Sequence, residues 1–246
     1  MAQKIAYLTI DDAPSADFQR KITYLHSKGI PAVFFCEGEY LEQRSDTVLD
    51  AIYKGFVIGS HAYTHQYFSD LPLNVCLEQI SKTHALIENL YLRAGVSWEK
   101  RYFRFPYGDK GGLRRDDVFS GYEGEGADRK GVIQDHLRHL GYSQPTFEGI
   151  TYKYYRDAGL LEDVDWHWTY DVREWGLAFR DEAFGVDTLE KVFARMDEDE
   201  PEGCRGLNYP GSEEIVLMHD HVETTHVFAI IIERLLEKGL QFRLPD

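Results

Sequence analysis

The chain has 246 residues, 43% of them hydrophobic and 28% charged, with a formal net charge of −15. That length suits one domain with a sizeable core, and the composition excludes a disordered or fibrous chain. The negative charge, uninterrupted by any basic run, argues against nucleic acid and anionic membranes as partners.

From the N-terminus, short apolar runs alternate with helical patterns. Strands are expected at 5–10, 32–36, 57–59, 101–105, 166–170 and 215–218, and helices at 17–28, 44–54, 73–94, 129–140, 188–197 and 222–238. Gly29, Gly95, Gly141 and Gly239 fall where helix C-caps are expected. This alternation predicts an α/β fold of parallel strands covered by helices. The first strand begins by Ile5 without a preceding export signal, and no run approaches a membrane span. The expectation is a cytoplasmic protein, or a secreted one given without its signal peptide. Cys36, Cys76 and Cys204 are widely spaced and read as three reduced thiols.

Two segments leave the rhythm. Residues 109–126 are rich in Gly and charge, and residues 143–165 are long and aromatic. Together 109–165 reads as an insertion over one face of a single domain spanning 1–246, its aromatic runs either near the pocket mouth or, for YKYY, packed as an amphipathic helix on the barrel. Loops this long in a compact domain are usually functional or mobile.

The residues with chemistry fall at strand ends: Asp11 and Asp12 after YLTI, His61 after FVIGS, Arg104 in RYFRFPYG, Asp171 and Glu174 after WHWTY, and His219 after IVLM. In a parallel α/β barrel these ends share one face, where active sites form. His61 and His65 in HAYTH stand four apart, which on a helical turn aims both imidazoles at one point. Taken alone, that spacing also fits two unrelated histidines. A carboxylate from another strand would make a two-His, one-carboxylate site with open positions. The Asp11-Asp12 pair supplies one, since two adjacent buried carboxylates call for a cation, although an Asp pair also caps turns before a proline such as Pro14.

The ordered set TIDDAPS (9–15), HAYTH (61–65), RFPYG (104–108) and VLMHD (216–220) resembles the polysaccharide deacetylases of carbohydrate esterase family 4, the NodB-homology domain, over nearly the whole chain. The resemblance implies a distorted (β/α) barrel of about seven parallel strands, with an enlarged loop region between the third and fourth motifs. It implies Asp11 as general base, Asp12, His61 and His65 as metal ligands, the Tyr107 backbone N–H as oxyanion donor, and His219 as general acid. Arg104 would orient Asp11, steadied by Glu174 or, close behind, Asp171; Asp220 would serve His219 or cap the next helix. Pro106, Tyr107, Trp175 and Leu217 would meet the substrate. Ala13 and Ala62 depart from the family's usual Gly and Ser or Thr without removing a catalytic group. His167 reads as structural.

The implied metal is divalent, with Zn2+ as the default and Co2+, Ni2+ or Fe2+ also suited to the ligands. The implied activity is removal of acetyl groups from an N-acetylated carbohydrate such as a chitin-type oligosaccharide or a peptidoglycan sugar. O-acetyl esters of xylan and a small cytoplasmic amide are the enzymatic alternatives. A non-catalytic sugar-binding domain would be expected to lack one of Asp11, Asp12, His61, His65 or His219, and all five are present.

Overall fold

The structure is a computed structural model and describes residues 3–147, 149–150, 152–180, 184–199 and 206–246. Its strands are β1 (Lys4–Ala13), β2 (Val33–Cys36), β3 (Val57–Ser60), β4 (Tyr170–Asp171), β5 (Glu213–His219) and β6 (Leu240–Phe242). All pairings are parallel, in the order β3-β2-β1-β5-β4. β1 is central because one edge serves β5 while the other is shared, β6 taking Lys4–Ala6 and β2 taking Thr9–Ala13. The helices are α1 (Phe18–Ser27), α2 (Gly38–Gln43), α3 (Ser45–Tyr53), α4 (Leu73–Ala94), α5 (Asp117–Ser120), α6 (Gly124–His139), α7 (Lys153–Asp157), α8 (Leu189–Met196) and α9 (Thr225–Glu237).

Parallel strands buried on both faces read as continuous apolar runs, and the side-chain period of two then divides each run between two cores. Ala6, Leu8, Ile10, Phe34 and Val216 face outward into a core completed by Ile22, Val48, Ile80 and Ile231 of the covering helices. Val33, Phe35 and Ile215 face inward and meet Tyr102, Trp166, Phe147, Tyr155 and Leu160. The aromatic segment 143–165 therefore spends Phe147, Tyr155 and Leu160 on filling the barrel interior. The packing alternative for its YKYY run describes Tyr155, which is 1% exposed.

The strand expected at 101–105 forms only one bridge, Ser60 to Phe103. It still occupies a strand position: Ser60 N donates to Tyr102 O at 2.8 Å, Arg104 N to Ser60 O at 3.0 Å, and Trp166 N to Phe103 O at 2.8 Å. These bonds link β3 to the chain entering β4. Close approach there needs Gly59, since a Cβ would stand 2.9 Å from Tyr102 O and 2.8 Å from the Phe35 ring. Leu73–Ala94 forms as expected, ending at Gly95 with φ 66°. α6 starts at Gly124, inside the segment expected to be irregular. Among the described residues no helix is long and apolar enough to cross a membrane. Cys36 and Cys76 are free and buried, and Cys204 lies outside the described residues.

Candidate active site

β1 carries two consecutive carboxylates to one point, although neighbours in a strand normally face opposite ways. The exception has a cause: Asp12 adopts φ 60°, a left-handed conformation that Asp tolerates, and the register with β2 shifts between Ile10 and Ala13. Both carboxylates consequently face His61, whose Nε2 lies 3.4 Å from Asp12 Oδ1 and 3.8 Å from Asp11 Oδ2. His65 Nε2 is 3.2 Å from the same Asp12 Oδ1.

The HAYTH segment is not the helical turn expected from its spacing. Ala62 takes φ 62° and turns the chain, while α4 holds the loop from behind. Tyr63 N and Thr64 N donate to Gln79 Oε1 at 3.3 and 3.0 Å, and Thr83 Oγ1 donates to Ala62 O at 2.9 Å. His61 Nδ1 bonds Arg104 O at 2.8 Å, which leaves its Nε2 aimed at the carboxylates.

Arg104 is fully buried. Its Nη1 donates to Asp11 Oδ1 and to Thr9 Oγ1, both at 2.8 Å, and its Nε to Trp166 O at 3.2 Å. Neither Glu174 nor Asp171 bonds it, which corrects that expectation. Glu174 lies under His219 instead: its Oε1 accepts from His219 N and stands 3.3 Å from His219 Nδ1. Asp171 accepts from Arg173 N at 2.8 Å and from Trp175 Nε1 at 3.2 Å. The physical reason is topological, because both residues follow β4, whose neighbour is β5 with His219, whereas Arg104 follows the segment beside β3.

β1 and β5 pair Asp11 with His219 directly, so these two residues enter the site at the same level from adjacent strands. Asp220, one residue on, points the other way and neither serves His219 nor caps α9. It accepts from Ser15 N at 2.6 Å, Ser15 Oγ at 2.9 Å and Lys21 Nζ at 2.6 Å. Pro106 and Tyr107 form a tight turn beside His65, with Tyr107 at φ 58° and its ring 4.3 Å from His65 and stacked at 3.9 Å on Tyr67.

Electrostatics separates these groups. Burial, with His61 adding its charge, pushes His65 down to about 4, leaving a neutral imidazole with a lone pair to give. His61 is raised despite burial, because Asp11 and Asp12 face it. Burial alone would raise Asp12, but His65 and the hydrogen bond from His221 hold it well below the usual carboxylate range. His219 reaches about 10: burial opposes its charge, and the Glu174 carboxylate outweighs burial. Asp12 Oδ1 is buried without a hydrogen bond, although two imidazole nitrogens converge on it. An orphaned carboxylate oxygen between two imidazoles fits a divalent cation, for which oxygen and nitrogen donors at about 2.0–2.2 Å are ordinary.

The sequence of residues 1–118 matches the family model described as polysaccharide deacetylase. Over that stretch, just under half of its length, the chain is similar to polysaccharide deacetylases. It is 29% identical over 147 residues to a peptidoglycan-N-acetylglucosamine deacetylase of Bacillus cereus, covering 56% of this chain and 52% of that protein. To a second protein of that name from the same organism it is 22% identical over 241 residues, covering 98% of this chain and 68% of that one. The chain thus spans about half and about two thirds of these relatives. A family 4 carbohydrate esterase from Streptomyces lividans, solved in complex with acetate, shares the fold with a TM-score of 0.62 at 20% identity over 100% of both chains. The fold is therefore the NodB-type (β/α) barrel.

In this polysaccharide deacetylase relative the site opens into a cleft of about 2410 Å³. Leu217, Trp175, Tyr107, His167 and Trp168 line it, while Pro106 is buried behind Tyr107. His167 stacks on Trp168 at 4.2 Å and is pushed down to about 3 by burial, with Lys110 and Arg104 adding positive charge. Two acidic or basic groups at the site were not anticipated. Glu37, after β2, is pushed up to about 8 by burial and then by the Asp12 charge. His221 bonds Asp12 Oδ2 at 2.7 Å. The alternating spacing in His219-Asp220-His221 was the signal available for it.

Proposed function

We propose that this protein is a metal-dependent deacetylase that removes the acetyl group of an N-acetylated glycan. The observation that carries the reading is Asp12 Oδ1, buried and unbonded between His61 and His65, with Asp11 and His219 paired across β1 and β5 beside it.

Asp12, His61 and His65 would hold the cation. When bound, it polarises the acetyl carbonyl and makes water more acidic. Asp11 accepts the proton of the attacking water, and Arg104 fixes the carboxylate through the bond to its Oδ1, so that Oδ2 faces the site. The Tyr107 turn, braced by Tyr67 and His65, sets a backbone N–H beside the carbonyl oxygen as negative charge develops there. His219, held protonated by Glu174, gives its proton to the departing nitrogen. An amine leaving group needs that proton more than an alkoxide does, which favours an amide over an ester.

The cleft is far larger than a typical small-molecule pocket of roughly 300–1,000 Å³, and its aromatic walls suit the faces of sugar rings. Two relatives are named peptidoglycan-N-acetylglucosamine deacetylases, in line with such a substrate. The test is acetate release from acetylated chito-oligomers, peptidoglycan and acetylxylan by protein loaded in turn with zinc, cobalt, nickel and iron. Release from the first two that stops with a chelator is expected. Stoichiometric metal binding without acetate release from any N-acetylated glycan would overturn the reading.

A further inference from the structure

His219 and His221 flank Asp220 where β5 ends. Side chains two apart on an extended chain share a side, and the two imidazoles do so, stacked at 5.3 Å with planes 22° apart. The chain carrying them is anchored on both sides of Asp220. Asp220 N donates to Asp11 O at 2.8 Å, and His221 O accepts from Lys21 Nζ at 2.9 Å and from Thr225 Oγ1 at 3.2 Å. The His221 ring is further held by the edge of Phe179 at 5.2 Å.

From this fixed platform His221 Nε2 reaches Asp12 Oδ2 at 2.7 Å. The two oxygens of Asp12 are thereby divided: Oδ2 belongs to His221, and Oδ1 faces His61 and His65. We infer that His221 is a positioning residue, whose N–H holds Asp12 as a one-oxygen ligand aimed between His61 and His65. His221 Nδ1 is buried without a partner, so the proton of a neutral ring belongs on Nε2, where the carboxylate accepts it. A nitrogen donating that proton has no lone pair for a metal, which separates this role from that of a fourth ligand. Hydrogen bonds of this kind behind a ligand typically change metal affinity 10–100-fold.

The inference rests on the metal site proposed above, and the experiment separates the two. Full-length wild-type protein and the variants His221→Ala, His221→Gln and His221→Met are titrated with Zn2+ against a chromophoric chelator, and visible absorption is recorded with Co2+. Thermal melts of the metal-free proteins identify variants that fold. His221→Ala and His221→Met should bind Zn2+ roughly 10–100-fold more weakly. His221→Gln, which keeps a donor, should recover most of the affinity with a wild-type Co2+ spectrum. His219→Ala, the neighbouring control, should bind normally. Wild-type affinity in a folded His221→Ala or His221→Met overturns the positioning role alone. A His221→Gln protein with weakened binding and an altered Co2+ spectrum overturns it in favour of direct ligation. A wild-type protein that binds none of the divalent metals overturns the proposed metal site, and this inference with it.

Discussion

The ends of β1 and β3 and the ends of β4 and β5 build opposite sides of one cleft by different means. On the first side the main chain does the positioning: left-handed Asp12 and Ala62 turn their segments, and His61 is oriented by the Arg104 carbonyl. On the second side carboxylates orient partners directly, Glu174 under His219 and Asp171 under Arg173 N and Trp175 Nε1. Burial keeps His65 neutral, with a lone pair to give, whereas Asp11 and Asp12 raise His61. His219, the proposed acid, is kept charged by the buried Glu174 carboxylate. Changes to Asp12, His61 and His65 should therefore alter metal content, and changes to Glu174 and His219 should alter pH dependence with the metal retained.

The largest expected effect breaks the first side. His65→Ala should lose both bound metal and activity, measured by elemental analysis beside acetate release; retained metal with retained activity would mean that the two histidines do not act together. Asp11→Asn tests the boundary between the sides, since Asp11 is proposed as the proton acceptor and Asp12 as the ligand. It should lower kcat about 10²–10⁴-fold with metal content unchanged, and metal loss in this variant would exchange the roles of the two aspartates.

On the second side, Glu174→Gln removes the carboxylate that keeps His219 charged at up to about 10. The alkaline limb of the kcat profile should move to lower pH by about one unit or more, with metal content intact. A profile that does not move would separate Glu174 from the acid.

The smallest effect concerns stability. His167 is held down at about 3, below its unfolded value near 6.5. As pH falls through about 6.5 the unfolded chain takes up a proton that the folded protein refuses until near 3, so stability is lost across that window, by up to about 1.4 kcal/mol per pH unit. In denaturant titrations between pH 4 and 6, His167→Gln should show a shallower loss than the parent; equal slopes would mean that the folded protein does not hold the ring neutral across that window.

Much of the candidate site could be read before the fold was known, because Asp11-Asp12, His61 and His65, Arg104 and His219 each sit in a short stretch at the end of an apolar strand. Strand ends of a parallel barrel meet on one face, so local sequence sufficed to bring these residues near each other. The pairing of carboxylates with cations was a different matter. Glu174 was expected beside Arg104, yet strand order sets β4 against β5 and gives Glu174 to His219. The inward burial of Phe147 and Tyr155 likewise depended on which side of the sheet the long segment returned to.

By itself, then, the amino-acid order determined the alternation of elements, the two-faced burial of the strands and the residue types at their ends, because period and propensity act over a few neighbours. Only the tertiary structure decided which carboxylate meets which base, that Asp12 turns left-handed so two adjacent acids share a site, and that His221 reaches Asp12. Those contacts join residues up to 209 positions apart. They are fixed by strand order and register, which no local stretch encodes.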